Sequence, residues 1–116
     1  MDERVEKAFA VVNYMATLSN QRRIITEEYQ QQLVYYTNGA TFKVSTDLIS
    51  FTKTVIDLGK VADVGFIDSN NMPVLIPDVN EFFKNITTIY FEANNEYADK
   101  YSKIRSKRKV EDIINL

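Results

Sequence analysis

Val5, Phe9 and Val12 recur at three- and four-residue spacing from the start of the chain, and Met15 and Leu18 follow. Ile25, Tyr29, Leu33 and Tyr36 continue the stripe. That spacing sets side chains along one face of an α-helix, so it predicts a first helix from about Asp2 to Tyr36. Ser19-Asn20-Gln21-Arg22-Arg23 interrupts it with weak helix formers, leaving a kink, a chain break or a solvent-facing stretch open. Asn38-Gly39 is read as the helix end, because glycine suits the left-handed position beyond a C-terminus.

Thr41-Phe42-Lys43-Val44 alternates and is rich in strand formers, which predicts a short strand. Ser45-Thr46-Asp47 offers capping oxygens for a second helix from Asp47 to Leu58, with Leu48, Phe51, Val55 and Leu58 on its apolar face and Gly59 closing it. Val61–Ile67 and Pro73–Ile76 flank the turn formers Asp68-Ser69-Asn70-Asn71, which predicts a hairpin. Pro73 lacks an amide donor and belongs at a strand start or on an edge. Gly65, inside the first of these strands, is read as a bulge or a close backbone approach. Asp78 with Glu81 is a helix-start signature. The third helix is expected from Val79 to about Lys107, along Phe82, Phe83, Ile86, Ile89, Tyr90, Ala93, Tyr97, Tyr101 and Ile104. A basic run, Arg105-Ser106-Lys107-Arg108-Lys109, leads into a short apolar tail, Val110 to Leu116.

At 116 residues the chain is long enough for one core and is read as one domain, residues 105–116 forming a basic tail. Its 14 basic and 16 acidic residues nearly cancel, which gives no overall electrostatic case for nucleic acid or an anionic membrane. Cysteine and histidine are both absent. That removes disulfides, thiolate metal sites, the commonest zinc ligand and the commonest general base. No apolar run is long enough to span a membrane, and the charged start Met1-Asp2-Glu3-Arg4 does not read as an export signal. The expected location is cytoplasmic.

Length suggests self-association. A compact monomer of this size is roughly 35 Å across, whereas a helix of about 30 residues spans roughly 45 Å. Two such helices would outrun the body, and their apolar stripes continue into the overhang. The residues expected to need cover are Ile25, Tyr29, Leu33 and Tyr36 on the first helix and Tyr97, Tyr101 and Ile104 on the third. A second copy of the chain is the expected cover. The competing expectation is a first helix broken near Ser19-Asn20, with everything buried in a monomer.

Candidate chemistry is sparse. Glu27-Glu28, and Glu92 with Glu96 one turn on, could suggest a carboxylate-bridged metal pair. Such a site wants a histidine partner and inward-facing carboxylates, and these map to the polar side of their helices. No cofactor, metal or catalytic group is assigned. Gly39, Gly59 and Gly65 are too far apart for a phosphate-cradling loop. Arg22, Arg23, Arg105, Lys107, Arg108 and Lys109 are the candidate nucleic-acid contacts, although basic residues at a helix C-terminus also complement its dipole. The tail residues Ile113, Ile114 and Leu116 could dock into a groove on another protein, or pack back as a last helical turn.

Two stretches, Phe9-Ala10-Val11-Val12-Asn13-Tyr14-Met15-Ala16-Thr17-Leu18-Ser19-Asn20-Gln21 and Phe66-Ile67-Asp68-Ser69-Asn70-Asn71-Met72-Pro73-Val74, resemble a group of uncharacterised proteins of T-even-like marine cyanophages. The similarity would extend over most of the chain. It implies a setting, a viral protein made in a bacterial cytoplasm, and carries no functional residues across.

The expectation is therefore an α+β fold. Two long amphipathic helices pack antiparallel, with one shorter helix and a small two- or three-stranded sheet containing a β-hairpin. The expected role is a non-enzymatic structural, assembly or interaction protein acting as a homo-oligomer. An accessory protein binding nucleic acid or replication and transcription machinery through the basic run and tail is the second reading.

Overall fold

The computed structural model describes residues 2–106. In chain order it holds α1 (Glu3–Gln32), β1 (Val34–Thr37), β2 (Ala40–Lys43), α2 (Thr46–Asp57), β3 (Ala62–Ile67), β4 (Pro73–Asp78) and α3 (Val79–Ser106). The α+β class, with two long helices and one shorter one, is as expected. Each pair of strands makes its own two-stranded antiparallel sheet, β1 with β2 and β3 with β4. The chain divides into two compact units, Gln30–Asn94 and Met1–Tyr29 with Asn95–Leu116.

In the Gln30–Asn94 unit, the first departure from the sequence reading is at the end of α1. The helix stops at Gln32 instead of running to Tyr36, and Val34–Thr37 is a strand. Val, Tyr, Tyr and Thr are all strand formers. Asn38 and Gly39, taken above as a helix end, are the two central residues of the hairpin turn, with φ of 52° and 75°. Positive φ at both positions defines the type I′ turn, whose twist matches that of the flanking strands. Thr37 pairs with Ala40 across it, and the ladder continues through Tyr35–Phe42 to Val34–Lys43. The Val44 amide donates to the Leu33 carbonyl one step further.

The β3–β4 hairpin pairs Ala62 with Asp78 and runs from Val64–Ile76 to Ile67–Pro73 in one register, with Asp63, at φ 51°, left out of the ladder. Gly65 pairs directly with Leu75 and a Cβ there would meet nothing within 4 Å, so neither the bulge nor the close approach expected of it occurs. Its turn is built on Asp68. One carboxylate oxygen of Asp68 accepts the amides of Asn70 and Met72, both at 2.9 Å, and the other accepts the Thr41 amide at 3.2 Å. The Ser69 amide and hydroxyl both donate to the Thr41 carbonyl, at 2.9 and 2.6 Å. A two-residue turn makes Tyr36–Thr41 a pair that exchanges no ladder bonds, so the amide and carbonyl of Thr41 point away from β1. The β3–β4 turn satisfies both and joins the hairpins. These amides, Met72's first, hold the Asp68 carboxyl below its ordinary 3.8 despite the opposing effect of burial.

The inward faces of the hairpins meet on α3. Phe82 is the hub, its ring centroid 5.0 Å from Phe42, 5.1 Å from Phe66 and 5.9 Å from Tyr35. Leu33, Val44, Val55, Ile76, Val79 and Ile86 are buried in the same unit. Helix α2 is capped as its sequence indicates. The Ser45 hydroxyl accepts the Leu48 amide, and beyond the other end Gly59 takes φ 79°. The Gly59 and Lys60 amides return to the Ile56 and Val55 carbonyls, the paired bonds of a Schellman ending. At the start of α3, Asp78 accepts the Glu81 amide at 3.0 Å.

Candidate self-association surface

The unit of Met1–Tyr29 with Asn95–Leu116 is a helix pair. Asp2 starts α1: its carbonyl accepts the amides of Val5 and Glu6 and its carboxylate that of Arg4. Glu3 and Glu6 then sit in the first turn, where negative charge complements the helix dipole. The helix runs unbroken through Ser19–Arg23, so the chain break left open above does not occur.

α1 packs on α3 through its C-terminal half. Tyr29 stacks on Tyr97 with centroids 4.5 Å apart and ring planes 14° from parallel. The hydroxyls of Thr26 and Tyr97 lie 3.0 Å apart. Lys100 donates to Glu28 and also pairs with Glu96, both at 2.8 Å. The hydrogen bond to Glu28, then that to Glu96, raises the Lys100 ammonium above its ordinary value. Tyr101 packs edge-on against Tyr97 and carries the Arg105 guanidinium over its ring at 5.6 Å. The two long helices pack antiparallel, as expected.

These contacts correct the choice of residues needing outside cover. Leu33 and Ile104 are buried, and Ile25, Tyr29, Tyr97 and Tyr101 are half-buried. Tyr29, Tyr97 and Tyr101 engage one another along the helix pair. Of the seven candidates only Tyr36, 74% exposed on β1, is open to solvent.

The open apolar surface lies instead at the other end of α1. Residues 2–13 are all exposed, and among them Val5 is 40%, Phe9 56% and Val12 63% accessible. At about 100° per residue these three fall on one side of α1, whereas Leu18, Ile25 and Tyr29 fall on roughly the opposite side. What reads as one stripe is two. One is buried or half-buried and includes Tyr29, which stacks on α3, and the other is uncovered among the described residues.

The basic candidates Arg23 and Arg105 are engaged locally. Arg23 is held 3.0 Å from Glu27, Arg105 lies over Tyr101, and Arg22 is half-buried with its Nε enclosed and unpartnered. Lys107, Arg108, Lys109, Ile113, Ile114 and Leu116 lie outside the described residues. Of the paired carboxylates, Glu27, Glu28 and Glu96 are in ion pairs and Glu92 is exposed. Among the described residues no cluster of three potential metal ligands occurs, and no helix is long and apolar enough to cross a membrane.

The Gln30–Asn94 unit carries a polar and an apolar concavity. The polar one, of about 170 Å³, is lined by Tyr35, Asp78, Glu81 and Asn85 among others, and Asn85 donates to the Tyr35 hydroxyl at 2.9 Å. The apolar one, of about 440 Å³, lies among Ile49, Phe83, Tyr90 and Phe91. No protein-family model matches the chain, and comparison with curated proteins and with solved structures gives no match either.

Proposed function

We propose that this is a non-enzymatic assembly or interaction protein that works as a homo-oligomer, joined through the Val5–Phe9–Val12 side of α1. The observation that supports this reading is a helix with an exposed apolar row on the side away from its only described partner helix. Covering the open parts of these three side chains contributes roughly 2–4 kcal/mol per copy. Association costs about 4–15 kcal/mol in lost freedom of motion. The two are of similar size, so little surplus is left and the expected complex is weak and reversible, forming at millimolar concentration and above. The lack of histidine and cysteine supports a non-catalytic role. A phage protein acting in a bacterial cytoplasm, the setting implied by the resemblance above, belongs to the same proposal.

Light scattering across that concentration range tests it. The mass of the wild-type chain should rise with concentration, and Phe9→Glu should hold the protein as a monomer with unchanged helicity. A wild-type chain that stays monomeric throughout removes the reading.

A second reading is nucleic-acid binding. The Glu28–Lys100 and Tyr29–Tyr97 contacts set a register that brings Arg22 and Arg105 to the same level of the helix pair. Salt-sensitive retention of the protein on DNA, lost on replacing both arginines by glutamine, is its test.

A further inference from the structure

Asp2, Val5, Phe9, Val12, Ala16, Ser19 and Arg23 alternate at three- and four-residue spacing, and all seven are exposed. An unbroken three-four alternation is the seam of a coiled coil, with Asp2, Phe9, Ala16 and Arg23 at one type of core position and Val5, Val12 and Ser19 at the other. The seam is apolar in the middle, acidic at its start and basic at its end. We propose that a second copy of the chain pairs on this seam with its α1 antiparallel. This rests on the self-association reading and adds the orientation and register.

Charge selects the orientation. In a parallel pair each seam residue faces its own counterpart, so Asp2 would face Asp2 and Arg23 would face Arg23. Like charges at facing positions disfavour that arrangement. An antiparallel pair layers the two types of core position against each other. Phe9 then packs on Val12 of the second copy, Val5 on its Ala16, and Asp2 on its Ser19. Arg23 of the second copy falls one turn beyond Asp2, about 6 Å along the axis, within reach of a long side chain. Asp2 of each copy therefore comes within reach of Arg23 of the other. Size agrees with charge, since Val5, the other large residue toward the start of the seam, lies against the small Ala16, and the two phenylalanines are kept apart.

The absence of cysteine makes a cross-linking test clean. Val5→Cys and Ala16→Cys are prepared as separate single variants. Both positions are exposed, so neither change removes a core contact. The two proteins are oxidised alone and as an equal mixture, and the linked species are identified by mass. The proposal requires a 5–16 disulfide on mixing and little 5–5 or 16–16 disulfide from either variant alone, because only the first pair lies within the Cβ separation a disulfide tolerates. Efficient 5–5 and 16–16 linkage with no 5–16 species overturns the orientation while leaving self-association standing. No linkage in a protein whose mass still rises with concentration overturns the seam as the interface. No linkage in a protein that stays monomeric overturns both readings.

Discussion

Replacing Phe82 by leucine isolates the aromatic hub of the Gln30–Asn94 unit. Phe82 is 3% exposed and meets three rings, those of Tyr35, Phe42 and Phe66, at 5.0 to 5.9 Å. Leucine keeps most of the buried apolar volume and loses the edge-to-face geometry. Aromatic pairs contribute about 0.5–1.5 kcal/mol beyond area burial, and volume-conserving core exchanges usually cost under about 1.5 kcal/mol. Because one ring serves all three pairs, their losses do not add fully, and the expected destabilisation is about 1–2 kcal/mol. For a cooperative unit of this size that corresponds to a fall in Tm of roughly 5–15 °C. Phe91 on the same helix is the control. It is 63% exposed, and Phe91→Leu should stay within about 0.5 kcal/mol of wild type. Urea unfolding followed by far-ultraviolet circular dichroism, with tyrosine signals reporting tertiary packing, measures both. A Phe82→Leu shift no larger than that of Phe91→Leu would refute the placement of the hub.

Three further outcomes follow from local geometry. Gly39→Ala should cost about 1–2 kcal/mol in thermal unfolding, because φ of 75° penalises any Cβ while the open space around it adds no clash. Asp68 has a lowered carboxyl pKa from its amide partners, so its contribution to stability is fully present above its ordinary 3.8 and is lost as pH falls through the lower folded value. An Asp68→Asn variant should therefore lose stability at neutral pH and show a flatter acid limb, read from Tm against pH. Lys100 is raised by Glu28 and Glu96, so its contribution is complete below its ordinary 10.5 and is lost as pH rises through the folded value. Lys100→Met should lower Tm by no more than about 3 °C at neutral pH, an effect that shrinks with added salt.

The elements themselves were largely legible. Ser45, Gly59, Asp78 and the Asp68–Met72 turn carry their own capping and turn chemistry, and α2, α3 and the β3–β4 hairpin follow from them. The β1–β2 hairpin was hidden by Val34, Tyr35 and Tyr36, which fit a helical stripe and a strand equally well over so short a run. The signal that settles it is Asn38-Gly39, the strongest two-residue hairpin turn in the chain, read too readily as a helix end. The proposed interaction surface was missed for a different reason. Val5 and Ile25 are 20 residues apart, and twenty steps of about 100° carry the chain to nearly the opposite side of the helix. Counting the rotation separates the Val5–Phe9–Val12 row from the Ile25–Tyr29 row, whereas spacing between successive neighbours joins them. What no pattern in one sequence could supply was that Tyr29 and Tyr97 cover each other, since that depends on the register between two distant helices.

Hydrogen–deuterium exchange measured across protein concentration tests the proposed interface where it lies. Amides of residues 3–18 should become more protected as concentration rises, while those of residues 30–94 keep the same protection. Exchange in residues 3–18 that does not change with concentration, or added protection confined to another part of the chain, would contradict the assignment of the Val5–Phe9–Val12 row as the surface through which this protein assembles.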